Sequence, residues 1–434
     1  MNVELVNTGS ELMLGLVLNT HQQWLCRRLA DLGHVVTRQV AIADTGSEIQ
    51  QAVREALSRA DLVITTGGLG PTSDDITRER IAEMLGKKLV ENKAVLAHIE
   101  NFFAKRNRAR PPKTSVETFV PEGALVFLNA TGTAPGLAMK IEDRSWELEV
   151  GAETSPTSIS HHPSASPKWL VMLPGPPREL RPMFDTSVVP LLKREFAGEI
   201  FICRTLCSTG VGESSVEEKV EADLQPLVRR GLEVGYCARP GAVDVRLVAS
   251  GAGAEQLVRE AEAVVQKNLA GNIFGFDDAE IENVVIKRLV QCKKTLALAE
   301  SCTGGNVAHR LTNVPGASEV FLGGVVSYSN AAKQNMLGVH AESLAAHGAV
   351  SEEVAREMAA GARQQFGSDY AVAITGIAGP GGGTADKPVG TVFIALASAE
   401  GVEVKKSVNA WDRQTFKDVT ATQVFEWLRQ VLSA

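Results

Sequence analysis

The residues of this 434-residue chain best suited to chemistry lie in Ala299-Glu300-Ser301-Cys302-Thr303-Gly304-Gly305. An apolar run ends there and a helix-like run begins within a few residues, so Ser301 falls at a strand-to-helix turn. A hydroxyl nucleophile at such a turn sits beside backbone N–H groups and the positive end of a helix, which hold a developing oxyanion. Gly304 and Gly305 leave room for a substrate backbone or carbonyl to approach closely. Ser301 or Thr303 equally suits a plain helix cap. Two further segments bear on the choice. Ser327-Tyr328-Ser329-Asn330-Ala331-Ala332-Lys333 also follows an apolar strand and presents Tyr328 and Lys333 five residues apart. A lysine acts as a general base when desolvation or a cationic neighbour lowers its pKa; a solvated lysine is the alternative. The segment Thr375 to Thr384 sets Gly376, Gly379 and Gly381 after a strand, either as a backbone nest for phosphate or as a flexible loop. Serine, lysine and nest together suit a serine–lysine hydrolase acting on a small phosphorylated amide. None of the eight histidines lies in a comparable context.

A second constellation occupies Gly67-Gly68-Leu69-Gly70-Pro71-Thr72-Ser73-Asp74-Asp75, after a strand and before a helix. Gly67, Gly68 and Gly70 let backbone N–H groups wrap a phosphate, which the helix N-terminus also favours. The spacing is neither the dinucleotide fingerprint nor the nucleotide P-loop. Asp74 and Asp75 beside such a loop invite a divalent cation, or else complement the helix dipole without one.

The elements that must position these residues follow from periodicity. Residues 1–140 alternate strand-like and helix-like runs: Val3–Val6, His21–Leu32, Ile49–Leu57, Asp61–Thr66, Ile76–Leu85. That rhythm predicts parallel βαβ units covered on both faces. Residues 151–168 have no apolar period and are rich in Ser, Thr and Pro, which predicts an exposed insertion in which His161 and His162 lack the neighbours a metal needs. Residues 200–270 predict a smaller strand–helix unit, and the Gly-rich Ala270–Asp278 reads as a linker. From Ala279 onwards the α/β rhythm returns. The composition is 44% hydrophobic and 22% charged with a net charge of −7, which argues against an obligate nucleic-acid binder. No apolar run reaches membrane-spanning length and no signal-peptide pattern precedes Val3. The six cysteines are scattered without a CxxC pair, so a reducing cytoplasm is the expected compartment.

With these motifs in order, the chain resembles the CinA family of competence/damage-inducible proteins. Ala-Glu-Ser-Cys-Thr-Gly-Gly, Ser-Tyr-Ser-Asn-x-x-Lys and Thr-Gly-Ile-Ala-Gly-Pro carry the resemblance in the C-terminal part. Thr8 to Gly15, Asn19-Thr20, Gly132 to Gly136 and Leu173 to Glu179 carry it in the N-terminal part. The resemblance implies an α/β chain of three domains. These are a molybdopterin-binding-like three-layer α/β domain over 1–195 with the insertion 151–168, a small α+β KH-type domain over 196–272, and an α/β deamidase domain over 279–434. It implies that the C-terminal domain hydrolyses nicotinamide mononucleotide to nicotinate mononucleotide and ammonia without a cofactor. There Ser301 is the nucleophile, Lys333 its base, backbone N–H groups near Thr303 to Gly305 hold the oxyanion, Tyr328 and Thr375 assist through hydrogen bonds, and Arg413 holds the phosphate or ring substituents. It implies that the N-terminal domain cuts ADP-ribose to AMP and ribose 5-phosphate. Gly67, Gly68, Gly70 and Thr72 would hold the phosphates, and Asp74 and Asp75 a divalent metal, with Glu11 and Asn19 as further candidates. A cytoplasmic homodimer acting on small nucleotides, without nucleic acid or membrane, is the expected setting. A molybdopterin-related enzyme and a non-enzymatic nucleotide-binding regulator are the alternatives. Retention of both Ser301 and Lys333 weighs against the regulator, since a scaffold has no chemical need for the pair.

Overall fold

The computed structural model describes residues 1–141, 168–196 and 200–433; the expected insertion, apart from Lys168, lies outside them. The chain forms two compact units, Met1–Ile202 with Ser250–Ala252 and Cys203–Ala249 with Gly253–Ala434.

The first unit is built on a six-stranded sheet. Its order is Val36–Ile42, Val3–Thr8, Leu62–Thr66, Lys168–Leu173, Gly136–Ile141 and Leu125–Phe127. The first four strands are parallel, as the βαβ rhythm predicts, and the last two run antiparallel. Every residue of Leu62–Thr66 is buried, which explains its unbroken apolar run. The helix Gly46–Arg59 covers one face through Ile49, Val53, Ala56 and Leu57, spaced for a single stripe. On the other face, Leu25 and Leu29 of the helix Thr20–Ala30 pack with Phe184 and Leu192.

The second unit holds two sheets. One is four-stranded, ordered Glu233–Arg239, Ala242–Ser250, Phe201–Thr209 and Ile273–Phe276. The segment expected as a linker therefore contains a strand: Ile273 pairs Ser208 and Phe276 pairs Leu206, antiparallel. Ladder bonds to a distant strand stabilise this Gly-containing segment, and local composition does not report them. The other sheet is five-stranded, ordered Phe321–Val326, Leu296–Glu300, Tyr370–Gly376, Thr391–Ser398 and Gly401–Val408. Its first three strands are parallel and its last two antiparallel. The two sheets share one apolar core, in which Cys207 and Phe274 join Ile286, Leu298, Phe416 and Phe425. The long helix Arg413–Val431 ties them further: the Thr422 hydroxyl donates to the Pro240 carbonyl at 3.1 Å and Arg429 to that of Gly271 at 2.6 Å. Among the described residues no helix is long and apolar enough to cross a membrane.

Candidate active site

The three parallel strands of the five-stranded sheet end side by side, and open α/β sheets present their ligand sites at such carboxyl ends. Glu300 is in register with Val326 on one side and Ile374 on the other. The ladder continues one step: Ser301 N–H donates to the Ile374 carbonyl at 3.0 Å and Ser327 N–H to that of Glu300 at 2.8 Å. Ser301 is thus fixed by backbone bonds at the sheet edge, where the turn Cys302 to Gly305 begins.

Lys333 reaches this point from the first turn of the helix Asn330–Leu337, which Ser329 caps by accepting from the Ala332 N–H at 3.1 Å. Its Nζ donates to Ser301 Oγ at 2.9 Å and to the Ser327 carbonyl at 2.7 Å. The side chain is 1% exposed. Among the described residues no carboxylate answers it, and burial pushes its pKa below the usual lysine value. Burial thus raises the neutral fraction above that of a solvated lysine, and the neutral amine is the form that accepts a hydroxyl proton. Cys302 is also buried, and desolvation pushes its thiol up to about 12, so the sulfur does not compete as a nucleophile.

Glu300, one residue before the serine, caps the next helix from the strand side. Its carboxylate accepts from the N–H groups of Gly305 at 3.0 Å, Val307 at 3.2 Å and Ala308 at 2.8 Å. Gly304 N–H donates to the Ser301 carbonyl at 3.1 Å. Of the expected oxyanion donors, the N–H groups of Thr303 to Gly305, those of Gly304 and Gly305 are therefore engaged, and the positive helix end faces Glu300. The N–H groups of Cys302 and Thr303 make no backbone hydrogen bond among the described residues, and they lie against the Cys302 sulfur. Two buried hydroxyls adjoining the dyad, Thr303 and Ser327, also have no partner among the described residues.

The remaining expected residues divide. Arg413, at the start of its helix, donates to Tyr328 Oη at 2.9 Å and to the Gly379 carbonyl at 2.8 Å, so it braces Tyr328 against the glycine loop. Thr375 does not bond to the dyad; its hydroxyl donates to the Ala349 carbonyl at 2.7 Å. Gly376 is required by packing, because a Cβ there would meet Cys302 Sγ at 3.1 Å and the Thr391 carbonyl at 2.7 Å. Around Gly381 a Cβ would meet nothing within 4 Å.

The first unit carries a cavity of about 680 Å³ lined by Gly67, Gly68, Gly70, Asp74 and Asp75, together with Glu11 and Glu117. Gly68 adopts a φ of +66°, and a Cβ there would collide with Thr77 Oγ1 at 2.0 Å. The Asp75 carboxylate accepts from the Thr72 N–H at 3.0 Å and from its hydroxyl, so it closes the loop on itself. Asn19 caps the helix Thr20–Ala30, accepting from His21 N–H at 3.1 Å and Gln22 N–H at 3.3 Å. Among the described residues no three His, Cys, Asp or Glu side chains converge on a point that could hold a metal ion. Among those residues Asp74 and Asp75 are thus not joined by a third such side chain, and a divalent cation there would take its remaining ligands from substrate phosphates. Glu117 was not singled out by its sequence context, yet it is wholly buried. Burial pushes its carboxyl up to about 7, offset by the Thr133 hydroxyl and Arg78 and reinforced by Asp75 and Glu179.

Comparison with known proteins covers nearly the whole chain. Residues 4–194 match the family model "Probable molybdopterin binding domain", 203–275 the "Damage-inducible protein CinA KH domain" and 278–432 the "CinA C-terminal domain". A CinA-like protein of Akkermansia muciniphila is 40% identical over 429 residues, covering 99% of this chain and 97% of its own. A protein of Acetivibrio thermocellus named for competence-damage induction is 40% identical over 433 residues, covering 99% and 98%. Among solved structures, the competence/damage inducible protein CihA of Agrobacterium tumefaciens is 38% identical, covering 36% of this chain and 98% of its own, with a TM-score of 0.34.

Proposed function

The chain belongs to the CinA family, and on that premise we propose that its C-terminal domain is a serine–lysine amidohydrolase that converts nicotinamide mononucleotide and water to nicotinate mononucleotide and ammonia. The observation that carries this reading is the buried Lys333 Nζ at 2.9 Å from Ser301 Oγ, without a carboxylate among the described residues to keep the amine charged.

The residues divide the work as follows. Neutral Lys333 takes the Ser301 proton as Oγ attacks the carboxamide carbon. The N–H groups of Cys302 and Thr303, which make no backbone hydrogen bond among the described residues, would exchange the Cys302 sulfur for the oxyanion. As the tetrahedral adduct collapses, Lys333 returns the proton to the leaving nitrogen and ammonia departs. Lys333 then takes a proton from water, which attacks the acyl-enzyme carbonyl, and Ser301 recovers its proton as the nicotinate is released. Arg413, anchored on Gly379 and Tyr328, supplies the positive charge for the substrate phosphate.

The N-terminal domain, on the same premise, takes ADP-ribose in the cavity bounded by the Gly67–Gly70 loop. The two sites are tested separately, by ammonia release from nicotinamide mononucleotide with Ser301→Ala and by ADP-ribose binding with Gly68→Ala.

A further inference from the structure

Among the described residues that line the N-terminal cavity, Glu117 Oε2 is a buried acceptor that the fold leaves unanswered, as it leaves Asn19 Nδ2 and His21 Nδ1. Glu117 lines the cavity with a side chain that is 0% exposed. Its Oε1 accepts from the Thr133 hydroxyl at 3.0 Å, but Oε2 has no hydrogen-bond partner among the described residues. A buried carboxylate oxygen without a partner is costly, and native structures seldom keep one unless a ligand, ion or water answers it. The neighbouring carboxylate shows the contrast: Glu179 Oε2 accepts from Asn129 Nδ2 at 2.8 Å.

Charge narrows what answers Glu117. Around the Glu117 carboxylate, Arg78 adds positive potential and Asp75 and Glu179 add negative. A phosphate oxygen brings negative charge and no hydrogen, so this position repels it. A resident cation needs further ligands converging on the same point, and none do among the described residues. A hydroxyl offers the hydrogen that Oε2 lacks, and a sugar phosphate has both hydroxyls for this end and phosphate oxygens for the backbone of the glycine loop. We infer that Glu117 Oε2 accepts a hydrogen bond from a ribose hydroxyl of the ligand, and is a specificity-determining residue of the N-terminal site. The inference rests on the reading of that cavity as an ADP-ribose site.

The test is calorimetric titration of the full chain at pH 8 with magnesium present. The probes are α,β-methylene-ADP-ribose, ribose 5-phosphate and inorganic phosphate. Glu117→Ala is expected to weaken the first two by roughly tenfold or more, the loss of one hydrogen bond to a charged group, and to leave phosphate unchanged or tighter. Glu117→Gln, which preserves volume and keeps a neutral acceptor, is expected to give an intermediate loss and covers the case in which the alanine variant does not fold. Equal changes for ribose 5-phosphate and phosphate, or no change for either, overturn the inference. Wild-type chain that binds none of the probes overturns the reading of the cavity itself.

Discussion

Lys333 and Ser301 stand 32 residues apart in the chain and 2.9 Å apart in space. Parallel strand order creates that proximity: the strand leading to Ser301 lies between the strand that precedes the Lys333 helix and the strand Tyr370–Gly376. The second bond from Nζ, to the Ser327 carbonyl at 2.7 Å, aims the amine at the hydroxyl through a neutral acceptor.

Removing either member removes the reaction. Ser301→Ala and Lys333→Ala are each expected to lower kcat for deamidation by about a thousandfold or more, as in other paired nucleophile–base systems. Circular dichroism should be unchanged for Ser301→Ala. Ammonia release by either variant within tenfold of wild type would contradict the assignment.

The pH dependence follows from the lowered pKa of Lys333. The active form is the neutral amine, so kcat/KM is expected to rise with pH through one ionisation below the ordinary lysine value of 10.5 and then level off. Lys333→Arg, always charged, should show no rising limb above the residual rate. A profile that falls over that range would place the essential proton elsewhere.

Glu300 acts on structure before chemistry. Its carboxylate answers three N–H groups of the following turn, so Glu300→Ala is expected to destabilise the second unit by about 1–3 kcal/mol. Glu300→Gln keeps the shape and should recover part of the loss. Thermal unfolding measures the stability, and kcat should fall with the turn that holds Ser301.

Arg413 is expected to act on substrate affinity. Arg413→Ala removes the brace between Gly379 and Tyr328 and should raise KM for nicotinamide mononucleotide by about tenfold, the cost of one charge-assisted contact. Nicotinamide riboside lacks the phosphate, so its turnover should be far less sensitive. Equal losses for both substrates would assign Arg413 to the fold instead.

In the first unit, the Glu117 carboxyl stands at about 7 against 4.5 when unperturbed. A raised carboxyl contributes stability below pH 4.5 that is lost as pH rises to 7. Glu117→Gln should therefore gain on wild type across that window, by up to about 3 kcal/mol from the size of the shift, and hold a constant advantage above it. Thermal scans at pH 4.5, 6 and 8 give the comparison.

What could be read from the sequence tracks what is local. Ser301 and Lys333 each follow an apolar strand, and α/β rhythm implies that parallel strands bring such ends together. The role of Glu300 was hidden because it sits inside a buried strand, and only the turn that folds back shows which N–H groups it meets. The hydroxyl of Thr375 was assigned to the dyad by motif alone, whereas the segment at Ala349 comes from elsewhere in the chain to accept it. Glu117 lies in the short 3₁₀ segment Pro112–Thr118, which has no apolar period to mark a buried face. The strand Ile273–Phe276 was hidden in a Gly-rich segment because its stability comes from pairing with Phe201–Thr209.

The central claim is tested most directly by ammonia release from nicotinamide mononucleotide, using the purified full chain with chelator present and Ser301→Ala alongside. Turnover that resists the chelator and disappears in the variant is the predicted result. A folded wild-type chain that releases no ammonia, or a Ser301→Ala chain that releases it at the wild-type rate, would contradict the serine–lysine assignment.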